Sequence, residues 1–190
     1  MRRWNGWGDD ATSMGLGEGA RAMLAARLGP GLPGQDALRE DLVARIPPSR
    51  LPEHPLISRD ASARFAMALG ESYADWIRKR FGALPPVPDG VATPESGDQV
   101  RELLDLAQAN RWMVIPVAGG TSVAGHLDCP VTEQPILSVN LTRMNQLLHL
   151  DTTSQLATFG AGTQGPLVEA PLRAPGYTQG LFPHSFAYSP

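Results

Sequence analysis

The sequence is poor in cysteine, in surplus positive charge and in long apolar runs. Cys129 is the single cysteine among the 190 residues, so the chain cannot form an internal disulfide. The 16 Lys and Arg residues are outnumbered by 19 Asp and Glu residues, which argues against the basic face of a nucleic-acid-binding protein. No run approaches the ~18 apolar residues of a membrane span, and the opening MRRWNGWGDD lacks the apolar segment of a signal peptide. These absences predict a cytoplasmic protein that binds no nucleic acid and does not span a membrane.

Glycine and proline are abundant instead, with 20 and 18 residues, and they predict many turns between short elements. In the first half of the chain, apolar residues recur at helical spacing in residues 20–28, 37–46 and 60–81. The last segment predicts one long helix whose apolar face consists of Phe65, Leu69, Tyr73, Trp76 and Ile77. The stretch ALPPVPDG that follows indicates a linker. We therefore place a boundary near residue 86, between a helical or irregular region 1–86 and a second domain 87–190.

A strand–helix–strand pattern opens the second half. Residues 91–93 predict a short strand, Ser96 begins a helix in which Gln99 fits a capping box, and residues 112–117 predict a buried strand. This order within so few residues is typical of a parallel βαβ unit. Three further apolar runs, at residues 136–141, 147–150 and 156–159, predict additional strands separated by turns.

The strand at residues 112–117 runs into a glycine loop, and residues 114–126 read VIPVAGGTSVAGH. Glycines let the backbone adopt positive φ and approach a ligand closely, so that successive N–H groups converge on phosphate oxygens. Thr121 and Ser122 add hydroxyl donors, and the carboxyl end of a parallel strand is where α/β units bind ligands. The sequence therefore predicts either a phosphate-binding loop or, from Gly119 and Gly120 alone, a tight turn without a ligand.

Two common nucleotide-binding motifs are incomplete in this chain. Residues 120–125 have the glycine spacing of a P-loop, but His126 and Leu127 occupy the positions of the required Lys and Ser or Thr. The pattern G-x-G-x-x-G occurs at residues 160–165, but no acidic residue ends a second strand about 20 residues later. The sequence therefore argues against an NTPase and against a Rossmann-type dinucleotide site.

The glycine loop resembles the first flavin-pyrophosphate loop, Pro-x-Gly-Gly-Gly-Thr-Ser-Val, of the vanillyl-alcohol-oxidase type (PCMH-type) FAD-binding fold. Four further motifs are similar to the alkyldihydroxyacetonephosphate (alkylglycerone-phosphate) synthase branch of that family: RWNGWGD (residues 3–9), PPSRLPEHPL (47–56), ATFGAGTQGPLVEA (157–170) and GYTQGLFPHSFAYS (176–189). The five motifs follow the order of the family and extend over nearly the whole chain, which makes the resemblance specific.

The resemblance implies an α+β fold: a helical N-terminal region, then part of a PCMH-type FAD-binding domain that comprises a βαβ sub-domain and the start of a mixed-sheet sub-domain. FAD would lie between the two sub-domains. The first implied cofactor segment consists of Pro116, Val117, Ala118, Gly119, Gly120, Thr121 and Ser122, with Gly125 and His126 beside it. The second consists of His184, Ser185, Phe186, Ala187, Tyr188, Ser189 and Pro190. The G-x-G-x-x-G pattern becomes a strand-to-helix turn, and the chain is expected to hold no metal ligands and no catalytic residue.

The sequence departs from the family pattern at two informative positions. Ala118 replaces the first glycine of the triplet, which strains the loop by roughly 1–2 kcal/mol if the position needs positive φ and costs little if it only needs a small residue. Pro171 falls inside the helix that Pro166 is expected to begin, at a cost of about 3 kcal/mol.

The second cofactor segment continues into Thr-Leu-Gly-Gly-Trp in the family, so the sequence looks like the amino-terminal piece of a larger flavoenzyme. The resemblance implies either FAD-dependent exchange of an acyl for an alkoxy chain in ether-lipid synthesis, without net redox change, or oxidation of 2-hydroxy acids. It also implies a homodimer at full length, and a small-molecule substrate that binds only if the remaining part is supplied. The alternative is a catalytically inactive fragment or a non-enzymatic nucleotide-binding module.

Overall fold

The computed structural model describes residues 2–31, 34 and 36–189. In chain order the elements are α1 (Glu18–Leu28), α2 (Arg39–Ala44), β1 (Ile57–Ser58), α3 (Ala61–Ala66), α4 (Tyr73–Arg80), β2 (Gly90–Ala92), α5 (Gly97–Asn110), β3 (Met113–Val117), β4 (Ile136–Asn140), β5 (Leu147–Asp151), β6 (Leu156–Phe159) and α6 (Gly165–Arg173). The predicted α+β class, with a helical region first and a sheet-rich region after it, is confirmed.

Four strands form one sheet in the order β1-β2-β4-β3. Strands β2, β4 and β3 are parallel, and β1 pairs antiparallel with β2 at the edge. The predicted βαβ unit is therefore present as β2, α5 and β3, with β4 inserted between its two strands. Because β1 comes from region 1–86, that region contributes the edge strand to the sheet of the second half.

Helix α5 packs on this sheet and begins at the predicted cap. Ser96 Oγ accepts a hydrogen bond from the Gln99 N–H at 3.3 Å, as in a capping box. The Gln99 side chain, however, accepts from the Glu95 N–H at 2.7 Å and not from the N–H of Ser96, so the capping box is incomplete. Leu104, which the apolar spacing places on the buried face, is 49% exposed. The core around the helix and the sheet consists of Leu51, Ile57, Ala92, Leu103, Leu137 and Val139.

The prediction of one helix over residues 60–81 is wrong, because the chain forms α3 and α4 with an irregular connection between them. A second helix start is specified at Ser72, whose Oγ accepts from the Asp75 N–H at 3.1 Å while Asp75 accepts from the Ser72 N–H at 3.1 Å. This reciprocal capping box fixes a helix N-terminus inside the predicted helix. The apolar face is accordingly divided, since Phe65 is buried while Tyr73 is 77% exposed.

Strands β5 and β6 form a separate antiparallel hairpin, which is the first part of the expected second sub-domain. The turn that follows carries the first two glycines of the G-x-G-x-x-G pattern and leads into α6, as predicted for a strand-to-helix turn. A Cβ atom at Gly162 would lie 1.8 Å from the Leu141 carbonyl oxygen, so this turn accepts only glycine. Among the described residues, none of the helices is long and apolar enough to cross a membrane.

Helix α6 contains the proline that the sequence places in its interior. Gly165 begins the helix, so that Pro166 lies second rather than first, still within the turn where N–H groups have no helical acceptor. Pro171 lies inside the helix, which continues to Arg173. The helix is therefore maintained past a residue that cannot donate to the carbonyl of Leu167.

A buried carboxylate joins the connector before β1 to the sheet. Asp89 is 3% exposed and accepts from Arg50 Nε at 2.8 Å, Arg50 Nη2 at 2.7 Å and the Ile136 N–H at 2.8 Å. Burial by itself would raise the pKa of Asp89, but the hydrogen bonds from Arg50 and Ile136 lower it below its ordinary value. Arg50 also donates to the carbonyls of Thr132, Glu133 and Gln134. This ion pair therefore holds the connector against the ends of β2 and β4.

We expect Asp89→Asn to lower the free energy of unfolding at pH 7 by about 2–3 kcal/mol, because charge-assisted hydrogen bonds in a buried site are lost. The pKa of Asp89 is lower in the folded than in the unfolded chain. The Asp89 carboxylate therefore contributes fully to the free energy of unfolding above its unfolded pKa of about 3.9, and this contribution is lost as the pH falls through the folded pKa. Urea titrations from pH 7 to pH 3 measure this loss, and the exposed Asp105→Asn is the matched control. If Asp89→Asn lowered the free energy of unfolding by the same amount at pH 7 and at pH 3, the stabilising role of the Asp89 carboxylate would be contradicted.

We expect Pro171→Gln to raise the free energy of unfolding by up to about 3 kcal/mol, because it restores one helical hydrogen bond and removes the ring clash. Pro166→Gln is the control and should give no gain, since its N–H lies in the first turn. Thermal melts of both variants test this expectation. A lower melting temperature for Pro171→Gln would show that the surrounding structure has adapted to the proline.

Candidate functional site

A cavity of about 860 Å³ lies beside the carboxyl end of β3, where the glycine loop begins. Val117, Ala118, Gly119 and Gly120 line one wall, and further lining residues come from the N-terminal segment and α3, among them Arg2, Trp4 and Phe65. Pockets of 300–1,000 Å³ are the usual size for small-molecule and cofactor sites. The cavity therefore has room for a ligand next to the predicted phosphate loop.

The backbone of the glycine loop takes the left-handed conformation only at glycines. Gly120 has a φ of 65° and Gly125 a φ of 75°. Ala118 does not have positive φ; in the described part of the chain the only non-glycine residues that do are Arg111 and Gln155. Alanine at the first position of the triplet is therefore accommodated without backbone strain, and the sequence departure there has no conformational cost.

The loop presents backbone donors that have no acceptor in the described part of the chain. None of the N–H groups of residues 119–122 donates a hydrogen bond to another residue in the described ranges. Their carbonyls, in contrast, are held: Gly119 O accepts from Arg2 Nη1 at 2.6 Å, Gly120 O from Arg2 Nη2 at 3.3 Å, and Ser122 O from the Glu71 N–H at 2.7 Å. A row of unpartnered N–H groups on a fixed loop is what an anion-binding backbone concavity requires.

The second predicted segment packs directly against the loop. A Cβ atom at Gly119 would lie 1.7 Å from the Tyr188 carbonyl oxygen, so only glycine allows the two backbones to approach this closely. Thr121 Oγ1 and Ser189 Oγ are hydrogen bonded at 2.9 Å, and Ser189 O accepts from the Gly165 N–H at 3.0 Å. The structure thus brings together two segments that are separated by more than sixty residues in the sequence.

The predicted cofactor residues fall into three groups. Those that line the cavity are Val117, Ala118, Gly119, Gly120, Ala187 and Tyr188. Those that lie in or next to the two segments without lining the cavity are Pro116, Thr121, Ser122, Gly125, Ser185, Phe186 and Ser189. His126 and His184 are exposed and lie outside the cavity wall. Pro190 lies outside the described residues.

A charged cluster that no sequence motif predicts lies beneath the loop. Glu71 is 6% exposed and accepts from Arg2 Nη2 at 2.8 Å and from Trp76 Nε1 at 2.6 Å. Lys79 Nζ lies 3.9 Å from Glu71 and donates to Gly70 O at 3.0 Å. Burial lowers the pKa of Lys79, and the nearby charge of Glu71 opposes that shift. Apolar periodicity does not predict this cluster, because its charged members do not belong to an apolar face and Glu71 lies in the connection between α3 and α4.

The N-terminal segment reaches this cluster through aromatic contacts. The rings of Trp4 and Phe65 are 6.0 Å apart, and those of Trp7 and Trp76 meet edge to face at 5.7 Å. The two tryptophans of RWNGWGD therefore anchor residues 2–9 on α3 and α4, which positions Arg2 under the loop. The family resemblance of this motif predicts no structural role for its tryptophans.

The other potentially reactive side chains do not form a catalytic or metal site within the described ranges. Burial raises the pKa of the Cys129 thiol to about 12, so this residue is an unreactive core thiol. Within the described ranges, no three His, Cys, Asp or Glu side chains are grouped as a metal site requires. The buried carboxylate of Glu169 accepts from the Thr178 hydroxyl at 2.9 Å and the Gln179 N–H at 2.8 Å. Its contacts are structural, since they fix the segment after α6.

Comparison with known proteins identifies the family. The sequence profile described as "FAD binding domain" matches residues 88–189. Alkyldihydroxyacetonephosphate synthase of Trypanosoma brucei brucei is 28% identical over 221 residues, which cover 98% of this chain and 36% of the relative. An uncharacterized FAD-linked oxidoreductase of Escherichia coli, YgcU, is 30% identical over 100 residues, which cover 53% of this chain and 20% of that protein.

A solved structure of alkyldihydroxyacetonephosphate synthase superposes with a TM-score of 0.81 at 27% identity, over 99% of this chain and 41% of that one. The chain thus spans about 36–41% of the length of these synthases. The recognised family resemblance and the FAD cofactor are both confirmed by these matches. Because the profile covers more than half of its residues, the chain belongs to this family of FAD-binding domains.

Proposed function

We propose that residues 116–122 hold the pyrophosphate of FAD, with Gly125 and His126 beside it, and that residues 184–190 form the second FAD-binding segment. The chain is homologous to alkyldihydroxyacetonephosphate synthase and to FAD-linked oxidoreductases, so the proposal concerns which residues bind the cofactor. The observation that carries it is the set of N–H groups at residues 119–122 that have no partner within the described ranges, on a loop in which the carbonyls of Gly119, Gly120 and Ser122 accept hydrogen bonds from other protein groups.

The residues present fit the group. Pyrophosphate needs several donors within hydrogen-bond distance, and the loop offers its backbone N–H groups together with the hydroxyls of Thr121 and Ser122. The adjoining cavity of about 860 Å³ offers space for the rest of the cofactor. When bound, the flavin supplies the redox or group-transfer chemistry, and this chain supplies binding and orientation. We assign none of its residues to catalysis.

For the whole protein we propose a flavoenzyme related to alkylglycerone-phosphate synthase, which exchanges an acyl for an alkoxy chain during ether-lipid synthesis, or a flavin-dependent oxidase of 2-hydroxy acids. Its units would be a helical or irregular region 1–86 and the FAD-binding part 87–190. We further propose a cytoplasmic location, a homodimer at full length and no nucleic-acid partner. A small-molecule substrate would bind once the remaining part of the enzyme is supplied.

A non-catalytic nucleotide-binding module is the second candidate function. Pro171, which weakens α6, favours this candidate. Ala118 does not favour it, because its backbone is not strained. The two candidates differ in turnover and not in FAD binding.

We expect Gly120→Asp to lower FAD affinity on the order of 100-fold or more, because a carboxylate would stand beside the pyrophosphate at a position with a φ of 65°. Gly119→Ala should act through geometry alone, since its methyl group would displace Tyr188. Isothermal titration with FAD measures both effects in residues 1–190 fused to the carboxyl-terminal remainder of a related synthase. Gly97→Asp is the matched control, because a Cβ there meets nothing within 4 Å and an acid suits the first turn of α5. Unchanged flavin content in Gly120→Asp would remove the pyrophosphate assignment.

We expect turnover only when residues 1–190 are fused to the carboxyl-terminal remainder of a related synthase, since this chain spans 36% of such a relative and contributes no assigned catalytic residue. We expect the chain alone to hold FAD weakly or not at all. Flavin absorbance after gel filtration, with assays of alkyl transfer and 2-hydroxy-acid oxidation, tests both proteins. Turnover by residues 1–190 alone would contradict the prediction. A fusion that binds FAD but remains inactive on both substrates would favour the non-catalytic module.

A further inference from the structure

We propose that Arg2 is a positioning residue, which fixes the direction of the peptide groups in the glycine loop and thereby sets the affinity for a pyrophosphate-bearing ligand. The inference rests on the proposed function of the loop. It assigns a role in that site to the N-terminal segment, which lies outside residues 88–189, the part of the chain that matches the FAD-binding-domain profile.

Arg2 contacts the loop at two successive carbonyls. Its Nη1 donates to Gly119 O at 2.6 Å and its Nη2 to Gly120 O at 3.3 Å. In a trans peptide the C=O and the N–H point in opposite directions, and the described chain contains no cis peptide. By holding these two carbonyls, Arg2 turns the N–H groups of Gly120 and Thr121 away from itself. These are two of the donors that are unpartnered within the described ranges.

The guanidinium is itself held in place by the cluster beneath the loop. Its Nη2 pairs with Glu71 at 2.8 Å, and the Arg2 side chain is 29% exposed while that of Glu71 is 6% exposed. Glu71 is fixed by the Trp76 indole at 2.6 Å, and the Glu71 N–H donates to Ser122 O at 2.7 Å. The planar guanidinium of Arg2 donates to three acceptors at once, namely Gly119 O, Gly120 O and the Glu71 carboxylate. Lysine could not replace it, because its ammonium group is a single point charge without this planar arrangement of donors.

Arg2 also joins the two cofactor segments. Its guanidinium carbon lies 4.9 Å from the centroid of the Tyr188 ring, which is a cation–π arrangement. The same side chain therefore contacts the glycine loop through hydrogen bonds and the second segment through an aromatic face. One residue sets the spacing between two segments that must converge on one ligand.

The contacts indicate that Arg2 acts through the loop and does not bind phosphate itself. Both terminal nitrogens already donate to protein oxygens, and the charge of Glu71 balances that of the guanidinium. Removal of Arg2 would therefore disorder the N–H groups while the net charge of the cluster becomes more negative. Both changes weaken anion binding.

The test uses the fusion of residues 1–190 to the carboxyl-terminal remainder of a related synthase, because the chain alone is expected to hold FAD weakly or not at all. Arg2→Gln and Arg2→Lys are compared in this fusion with Arg143→Gln as the control, because Arg143 forms an exposed ion pair with Glu95 and lies outside the cavity wall. The first readout is ¹⁵N relaxation of the Gly120 and Thr121 amides without ligand. The second is calorimetric titration with FAD, ADP and riboflavin, of which only the first two contain pyrophosphate. Thermal melts report whether each variant remains folded.

We expect Arg2→Gln to broaden the Gly120 and Thr121 amide signals and to weaken ADP and FAD binding by roughly 10- to 100-fold, the range for losing hydrogen bonds from a charged group. Arg2→Lys should weaken ADP and FAD binding by about 10-fold, because lysine keeps the positive charge but lacks the planar set of guanidinium donors. Arg143→Gln should match the wild type in both measurements. Glu71→Gln should weaken binding in the same way, and the Arg2→Gln, Glu71→Gln double variant should lose less than the sum of the two losses, since the residues act as a unit.

The proposal would be overturned if Arg2→Gln left the amide signals and the ADP affinity unchanged, or if Arg2→Lys bound ADP as well as the wild type. Should Arg2→Gln fail to fold, the lysine variant decides. Failure of the proposed function has a different signature: the wild type would bind neither ADP nor FAD. The ligand-free relaxation data would then decide alone whether Arg2 orders the loop.

Discussion

Close backbone contact at three glycines is the constraint on which the candidate site depends. A Cβ atom would lie 2.3 Å from Ser122 O at Gly70, 1.7 Å from Tyr188 O at Gly119 and 2.3 Å from the Phe186 ring at Gly165. Each of these residues comes from a different part of the chain, and each brings its own backbone against the loop or the second segment. The contact at Gly70 accompanies the hydrogen bond from the Glu71 N–H to Ser122 O, and the contact at Gly119 brings the two predicted cofactor segments together.

The elements with strong local signals could be predicted from the sequence. The βαβ unit followed from apolar periodicity and from the Ser96 cap, and the strand-to-helix turn before α6 followed from the family resemblance. The glycine loop and the second segment were recognised by the same resemblance, and the structure brings them into contact. Local capping and alternation are properties of a few neighbouring residues, so they remain readable without knowledge of the fold.

The helix break and the role of Arg2 could not be predicted in this way. The apolar spacing over residues 60–81 is compatible with one helix as well as with two. Only the capping box of Ser72 and Asp75 indicates that a second helix begins after Ser72. The chain breaks the helix because Gly70 and Glu71 must reach Ser122, a contact between residues about fifty positions apart. Tertiary contact thus overrides helix periodicity here. Arg2 carries no pattern at all, since its partners are set by the packing of two tryptophans.

The contact between Arg2 and Gly119 closes a loop of 117 residues. Long-range closure of this kind must wait until most of the intervening chain is folded, because its entropic cost comes before the contact contributes any stability. The segment that carries the unpartnered N–H groups should therefore be among the last parts of the molecule to become ordered. A ligand that binds only the ordered loop stabilises that final state by mass action. Such a ligand would therefore favour the molecules in which both ends of this long loop have met.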